Sequence, residues 1–225
     1  MSAKDTLKRY IIFAFGLFFN AFGVAFITKA SLGSSPLAAI PYTLSLIVKG
    51  FTYGNWVIVY NLIMITLQII ILKGKVNKAE IFIQIVISFC FGYCVDISMR
   101  ALSSFLPGLY ILKILSLLCG CVIIAFGAYL EVIANVAMLP ADAFVRAIAT
   151  VSGKEYGKIR VISDSAQTVV AAALCLIVLK KLSGVREGTV ITAFLVGNIV
   201  RVMNKLLKPL KDFLLPEVPL TGEQK

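Results

Sequence analysis

Six apolar runs of near-spanning length recur along the chain: Tyr10–Ile27, Trp56–Leu72, Ile81–Ile97, Ile114–Leu130, Val161–Leu179 and Thr189–Val202. About 20 apolar residues carry an α-helix across a hydrocarbon core of about 30 Å. With no water at that depth, each backbone N–H and C=O must find its partner within its own segment or a closed barrel. Barrel strands would show as short alternating segments, and these runs do not alternate. With 60% hydrophobic and 15% charged residues in 225, the chain is predicted to be an all-α, polytopic helical membrane protein. The first run is too long for a cleavable signal, and no small-residue cleavage site followed by a soluble domain comes after it, so it is expected to remain as a span.

The formal charge of +11 would suggest nucleic acid in a soluble protein. Here most cations stand at helix ends and connections, as orientation by a cytoplasmic excess of Lys and Arg requires, and no basic groove with stacking aromatics accompanies them. No nucleic-acid partner is expected. Cys90, Cys94, Cys119, Cys121 and Cys175 all lie inside apolar helices, and the chain has no histidine. Cys90 and Cys94 share a helix face but lack the further ligands zinc needs, so they read as small hydrophobes. Neither a metal nor any other cofactor is expected. Without a histidine, a ligand set or a nucleophile–base pair, an enzyme is not expected either.

The segment from Phe22 to Gly54 returns about a hundred residues later. Phe22-Gly23 recurs as Phe126-Gly127, Ala30 as Ala134 and Pro36 as Pro140, at a constant offset of 104 (127 − 23 = 104). Tyr53-Gly54 returns as Tyr156-Gly157 (156 − 53 = 103), and the mid-helix Gly92 as Gly197 (197 − 92 = 105). One membrane domain over 1–225 is expected, with repeat one at about 9–102, repeat two at about 109–207 and a polar tail over 208–225. In each unit a long helix gives way to a break, Ala30 to Pro36 in the first, and then to a short helix, Leu37–Val48 or Ala141–Val151. Proline suits the first turn of such a helix. Short, Gly/Pro-interrupted segments at matching places in two halves point to a transporter binding site; ordinary surface turns before ordinary helices are the plainer alternative.

If both short helices are re-entrant, six helices span and the units are inverted; if both cross, eight span and the units are parallel. With the amino terminus inside, six spans put twelve cations inside and six outside, against eleven and seven for eight spans. The positive-inside rule therefore leans to six, and both arrangements place both termini in the cytoplasm.

Ionisable groups at membrane depth are costly and functional by default. Glu131, Asp142, Arg146 and Asp164 all belong to the second unit, and their first-unit counterparts are Ile27, Ala38, Tyr42 and Asn61. Such lopsidedness suits a substrate-binding site with one charged and one apolar wall. Asp142 and Arg146, at i, i+4, can also simply neutralise each other as an intrahelical pair. Glu131 and Asp164 show no evident local partner in the sequence, so one is expected to reach Arg146 across the bundle or to carry a proton. Asp96 and Arg201, near helix ends, are expected to reach the interface. Ser34 and Ser35, with the amino termini of the short helices, can hold an anion or serve as caps. Close packing through small residues accounts for Gly92 and Gly197. Asn20, Asn61, Gln68, Gln167 and Asn198 can line a polar path or join helices.

Ala30-Ser31-Leu32-Gly33-Ser34-Ser35-Pro36 after a Gly-containing first helix, with Gly188-Thr189 ahead of Phe194-Leu195-Val196-Gly197, resembles the bacterial YczE/YyaS/YitT group of uncharacterised membrane proteins. The resemblance covers nearly the whole chain up to Lys208. It implies a multi-pass protein of the bacterial inner (cytoplasmic) membrane. In that group an acidic residue often follows the last helix's glycine; Asp96 follows Gly92 here, but Arg201 stands in the region after Gly197. The resulting expectation is a secondary transporter or permease for a small polar or anionic solute, with its site between two repeats. It would be formed by Arg146, Glu131, Asp142, Asp164, Ser34, Ser35 and Asn61, with the lipid bilayer as its surroundings. The alternative is a non-transporting accessory protein that binds or stabilises a partner.

Overall fold

A computed structural model describes residues 3–207, and the tail over 208–225 lies outside the described residues. Eight α-helices follow one another among them, with no strand: α1 (Ala3–Lys29), α2 (Pro36–Ile47), α3 (Tyr53–Ile71), α4 (Lys78–Ala101), α5 (Tyr110–Ala134), α6 (Pro140–Ser152), α7 (Tyr156–Leu174) and α8 (Glu187–Leu206). A single π-helical turn, Cys175–Leu179, prolongs α7. The polytopic helical architecture read from the sequence is the one observed, and six of the helices are long and apolar enough to cross a membrane. At 1.5 Å per residue, α2 and α6 reach only about 18–20 Å, well short of the hydrocarbon core.

Local chemistry sets the helix ends. Pro36 and Pro140 open α2 and α6, where a missing N–H costs nothing. Thr52 caps α3 by accepting a hydrogen bond from Asn55 N, and Asn77 caps α4 by accepting one from Ala79 N. Asn135 ends α5 in the left-handed conformation (φ 48°), as Gly153 ends α6 (φ 65°). The break after α1 is not a surface turn, since Ala30, Leu32 and Ser34 are fully buried. Protein groups take up its backbone: Leu32 O accepts from Gly188 N at 2.9 Å, and Ser31 O accepts from Arg186 Nη1 at 3.0 Å. Irregular backbone within a membrane bundle requires such cover.

The central crossing is α1 against α5, made through glycines. A Cβ on Gly127 would fall 2.5 Å from Asn20 N and 2.7 Å from Gly16 O; one on Gly23 would fall 2.6 Å from Ile124 Cγ1. α4 flanks α1 and α8 flanks α5, while each short helix packs against a long helix distant in sequence, α6 on α3 and α2 on α7. At the centre, Leu37 and Ile40 of α2 and Ala141 and Phe144 of α6 pack about Tyr60 and Met64 of α3.

Contacts between helix ends give the bundle its polarity. Arg9 Nη1 donates to Ala134 O, Tyr129 Oη donates to Leu207 O, and Arg146 pairs with Glu80. One end, the near end, therefore gathers the starts of α1 and α4, the ends of α5 and α8, and α6. At the far end α1 finishes, Phe26 stacks on Phe105 just beyond α4, and Gly188 opens α8 beside Leu32.

The glycines separate by environment. A Cβ on Gly197, unlike one on Gly127, would meet no atom within 4 Å. Close packing through Gly92 is as expected, with a Cβ there falling 2.7 Å from Gly54 O, but Gly197 packs against nothing among the described residues and that expectation is corrected. Gly127→Val is expected to destabilise the protein by about 1–3 kcal/mol through overpacking. Gly197→Val should leave the thermal unfolding temperature in detergent nearly unchanged, and equal losses in the two variants would contradict this packing.

Candidate charged chamber

Glu131, Asp142 and Arg146 line one cavity of about 530 Å³ at the near end of the bundle. Asn77 and Glu80 at the start of α4, Asn135 and the segment 136–139 complete its wall. Three carboxylates and one guanidinium thus face the same space. Arg146 pairs with Glu80, and that pair also borders a smaller cavity of about 190 Å³ lined by Gln68, Lys75, Asn77 and Thr150. The Glu80–Arg146 bridge is a shared wall between the two. Gln68 is buried, and its Oε1 has no hydrogen-bond partner in the protein.

The intrahelical pairing of Asp142 with Arg146 is not formed. Asp142 pairs instead with Arg160 of α7, which also binds Asp164 Oδ2 through Nε at 3.2 Å and donates from Nη1 to Tyr156 Oη at 3.2 Å. The reason is geometric: α6 presents Asp142 to α7 and Arg146 to α4, and each finds an opposite charge on a neighbouring helix. One sequence reading is corrected with it: Asp164 does have a local partner, Arg160, one turn earlier. Glu131 makes no ion pair among the described residues; its Oε1 accepts a hydrogen bond from Asn20 Nδ2 of α1 at 3.2 Å.

The remaining expected site residues are elsewhere. Ser34 Oγ lies 3.3 Å from Tyr53 Oη and 3.4 Å from Thr28 Oγ1, a closed hydroxyl cluster at the end of α1. Ser35 precedes α2 but makes no side-chain cap hydrogen bond. Asn61 is buried on α3 with Nδ2 unpartnered. None of the three lines the chamber. Asp96, near the end of α4, accepts at Oδ1 from Gly54 N at 2.7 Å and at Oδ2 from Thr52 Oγ1 at 2.6 Å. That capture satisfies backbone and hydroxyl donors at the start of α3, where a carboxylate is favoured. Tyr60 Oη donates to Gln167 Oε1 at 2.5 Å and Gln167 Nε2 donates to Ser163 Oγ, joining α3 to α7.

All eight helices lie wholly or almost wholly in the segment that one family match covers. Over residues 7–205 the chain matches a family of unknown function, DUF6198. The chain belongs to that family. No curated protein and no solved structure matches it. For this DUF6198 member the function therefore has to be argued from the chamber.

Sequence reasoning missed Glu80, Arg160 and the Asn20–Glu131 bond. The Arg160–Asp164 spacing of i, i+4 was a legible signal, whereas Glu80 is 66 positions from Arg146 and nothing local joins them. The Asp142–Arg160–Asp164 group sets a clear expectation. Arg160→Gln leaves two carboxylates without their cation and should cost about 2 kcal/mol or more, read as a lower unfolding temperature in detergent. Adding Asp142→Asn and Asp164→Asn to that variant should recover most of the loss, because all three charges are then gone together.

Proposed function

We propose that the protein is a secondary transporter or permease for a small polar solute, bound in the charged chamber and moved by rocking of two related four-helix halves. The observation that carries this reading is the convergence of Glu131, Asp142 and Arg146 on one cavity of about 530 Å³ within a bundle of apolar helices. Charged groups at membrane depth mark substrate and ion pathways, and a cavity of several hundred Å³ suits a small ligand.

The two-half reading draws support from the helix series. Helices of 27, 12, 19 and 24 residues are followed by helices of 25, 13, 19 and 20. Equivalent pairings recur, α1 with α4 as α5 with α8, and α3 with α6 as α7 with α2. Two short helices that start at the centre of such a fold are a feature of transporters built from inverted repeats. The excess of Lys and Arg supports a cytoplasmic near end in a bacterial inner membrane. The same small-residue signatures support a relationship to the YczE/YyaS/YitT group.

Charge narrows the solute. An anion would have to draw Arg146 away from Glu80 while facing Glu131 and Asp142. A solute carrying an amino group, alone or beside a carboxylate, meets a lining with surplus negative charge and fits better than a simple anion. Glu131, hydrogen-bonded but free of a cation, is the natural contact for that amino group, with Arg146 or Asn77 for a polar remainder.

Thermal stability of the purified protein against amines, amino acids and carboxylates tests the reading. A ligand at a hundred times its Kd adds about 2.7 kcal/mol. Glu131→Gln keeps an acceptor for Asn20 yet removes the charge, so it is expected to abolish the ligand shift and uptake into liposomes while leaving unliganded stability close to the parent. Uptake unaffected by both Glu131→Gln and Arg146→Ala would dismiss the chamber as the path.

A further inference from the structure

The two halves are closed to different extents. At the far end α3 and α4 are locked: Gly54 and Gly92 bring the backbones together, Ile58 packs over Gly92, and Asp96 holds Gly54 N and Thr52 Oγ1. The equivalent positions on α7 and α8 are Glu155, Gly157, Val161, Gly197 and Arg201, at the offsets of 103 and 105 shown by Tyr156-Gly157 and Gly197. Here the helices stand apart. A Cβ on Gly157 would meet only Glu155 Oε1, at 3.8 Å, and one on Gly197 would meet nothing. Val161 is 65% exposed against 8% for Ile58.

Residue chemistry at the open pair is complementary. Where the first half uses Thr52 and Asp96, the second has Glu155 and Arg201, a carboxylate just ahead of α7 and a guanidinium on α8. Among the described residues the Glu155 side chain has only Lys158, at 4.0 Å and with both side chains largely exposed, and the Arg201 side chain has no hydrogen bond or ion pair. This pair lies at the near end, the end of the chamber.

We infer that α8 closes onto α7 through Gly157, Val161 and Gly197 and is latched by Arg201 on Glu155, and that this closure alternates with release of the Asp96 latch at the far end. The inference rests on the two-half reading above. In the state described, the far end is shut and the near end open. The opposite state shuts the chamber's own end and opens the other, giving a solute access from each side in turn. An equilibrium of this kind is moved by any change that favours one latch over the other.

Thiol crosslinking in native membranes tests it. Val161→Cys and Gly197→Cys are introduced together, with Cys90, Cys94 and Cys119 replaced by Ala, and a short bifunctional thiol reagent is applied. Crosslinking is expected in this background, rising several-fold when Asp96→Asn frees the far end. It should fall with Glu155→Arg and return with Glu155→Arg plus Arg201→Glu. Should that pair of cysteines fail to fold, Glu155→Cys with Arg201→Cys reports the same approach, and its crosslinking must again rise with Asp96→Asn. No crosslink, or one indifferent to Asp96→Asn, overturns the closure. Because the readout needs no solute, closure without any uptake removes the transport reading alone, and uptake without crosslinking removes the closure alone.

Discussion

The close approach of α1 and α5 is the contact on which the rest of the bundle depends. In a membrane, lipid tails are as apolar as the side chains, so helices associate through van der Waals contact and interhelical hydrogen bonds rather than by escaping water. Gly16, Gly23, Gly120 and Gly127 let two backbones meet where any side chain would intrude. Fixing α1 on α5 fixes α4 and α8 on their outer flanks and carries Asn20 to within 3.2 Å of Glu131. Glu131, the chamber carboxylate without an ion pair among the described residues, thus owes its position to the glycines that allow the crossing.

Positions matched by the sequence offsets carry very different chemistry. Asp142, Arg160 and Asp164 correspond to Ala38, Val57 and Asn61 at the offsets 104 and 103. The first set forms a charged network, whereas Ala38 and Val57 pack in an apolar cluster with Tyr53 and Val95. Burying a charge costs several kcal/mol unless it is paired, and each carboxylate of this set has Arg160 within reach. Arg suits that role because its planar fork can serve two acceptors at once.

Much of the architecture was readable in advance because membrane depth restricts the choices. The apolar runs announced the six long helices, and Pro36 and Pro140 announced the two short ones to within a residue. Of the four charges singled out in the sequence, Glu131, Asp142 and Arg146 line one cavity and Asp164 does not, and the intrahelical pairing is not formed. Asp142 and Arg146 satisfy the i, i+4 rule, but on a short helix packed against α3 and α7 their partners come from outside it. Glu80 follows Lys73, Lys75 and Lys78 in the sequence, and nothing local links it to Arg146. Only the fold reveals that it faces Arg146. Ser34 and Ser35 were chosen for their hydroxyls and proximity to a helix start, yet Thr28 and Tyr53 already surround Ser34.

The two halves also meet one electrostatic demand by different means. The start of α3 draws its carboxylate, Asp96, from a neighbouring helix, so satisfying that helix dipole necessarily ties α4 to α3. The start of α7 has a carboxylate in its own flanking residue, Glu155, which makes no side-chain cap hydrogen bond but places a negative charge at that helix end without one from α8. A helix end that must borrow its counter-charge is locked to the lender. One that supplies its own stays free to part from its neighbour, and a guanidinium on that neighbour makes the reunion favourable without making it obligatory.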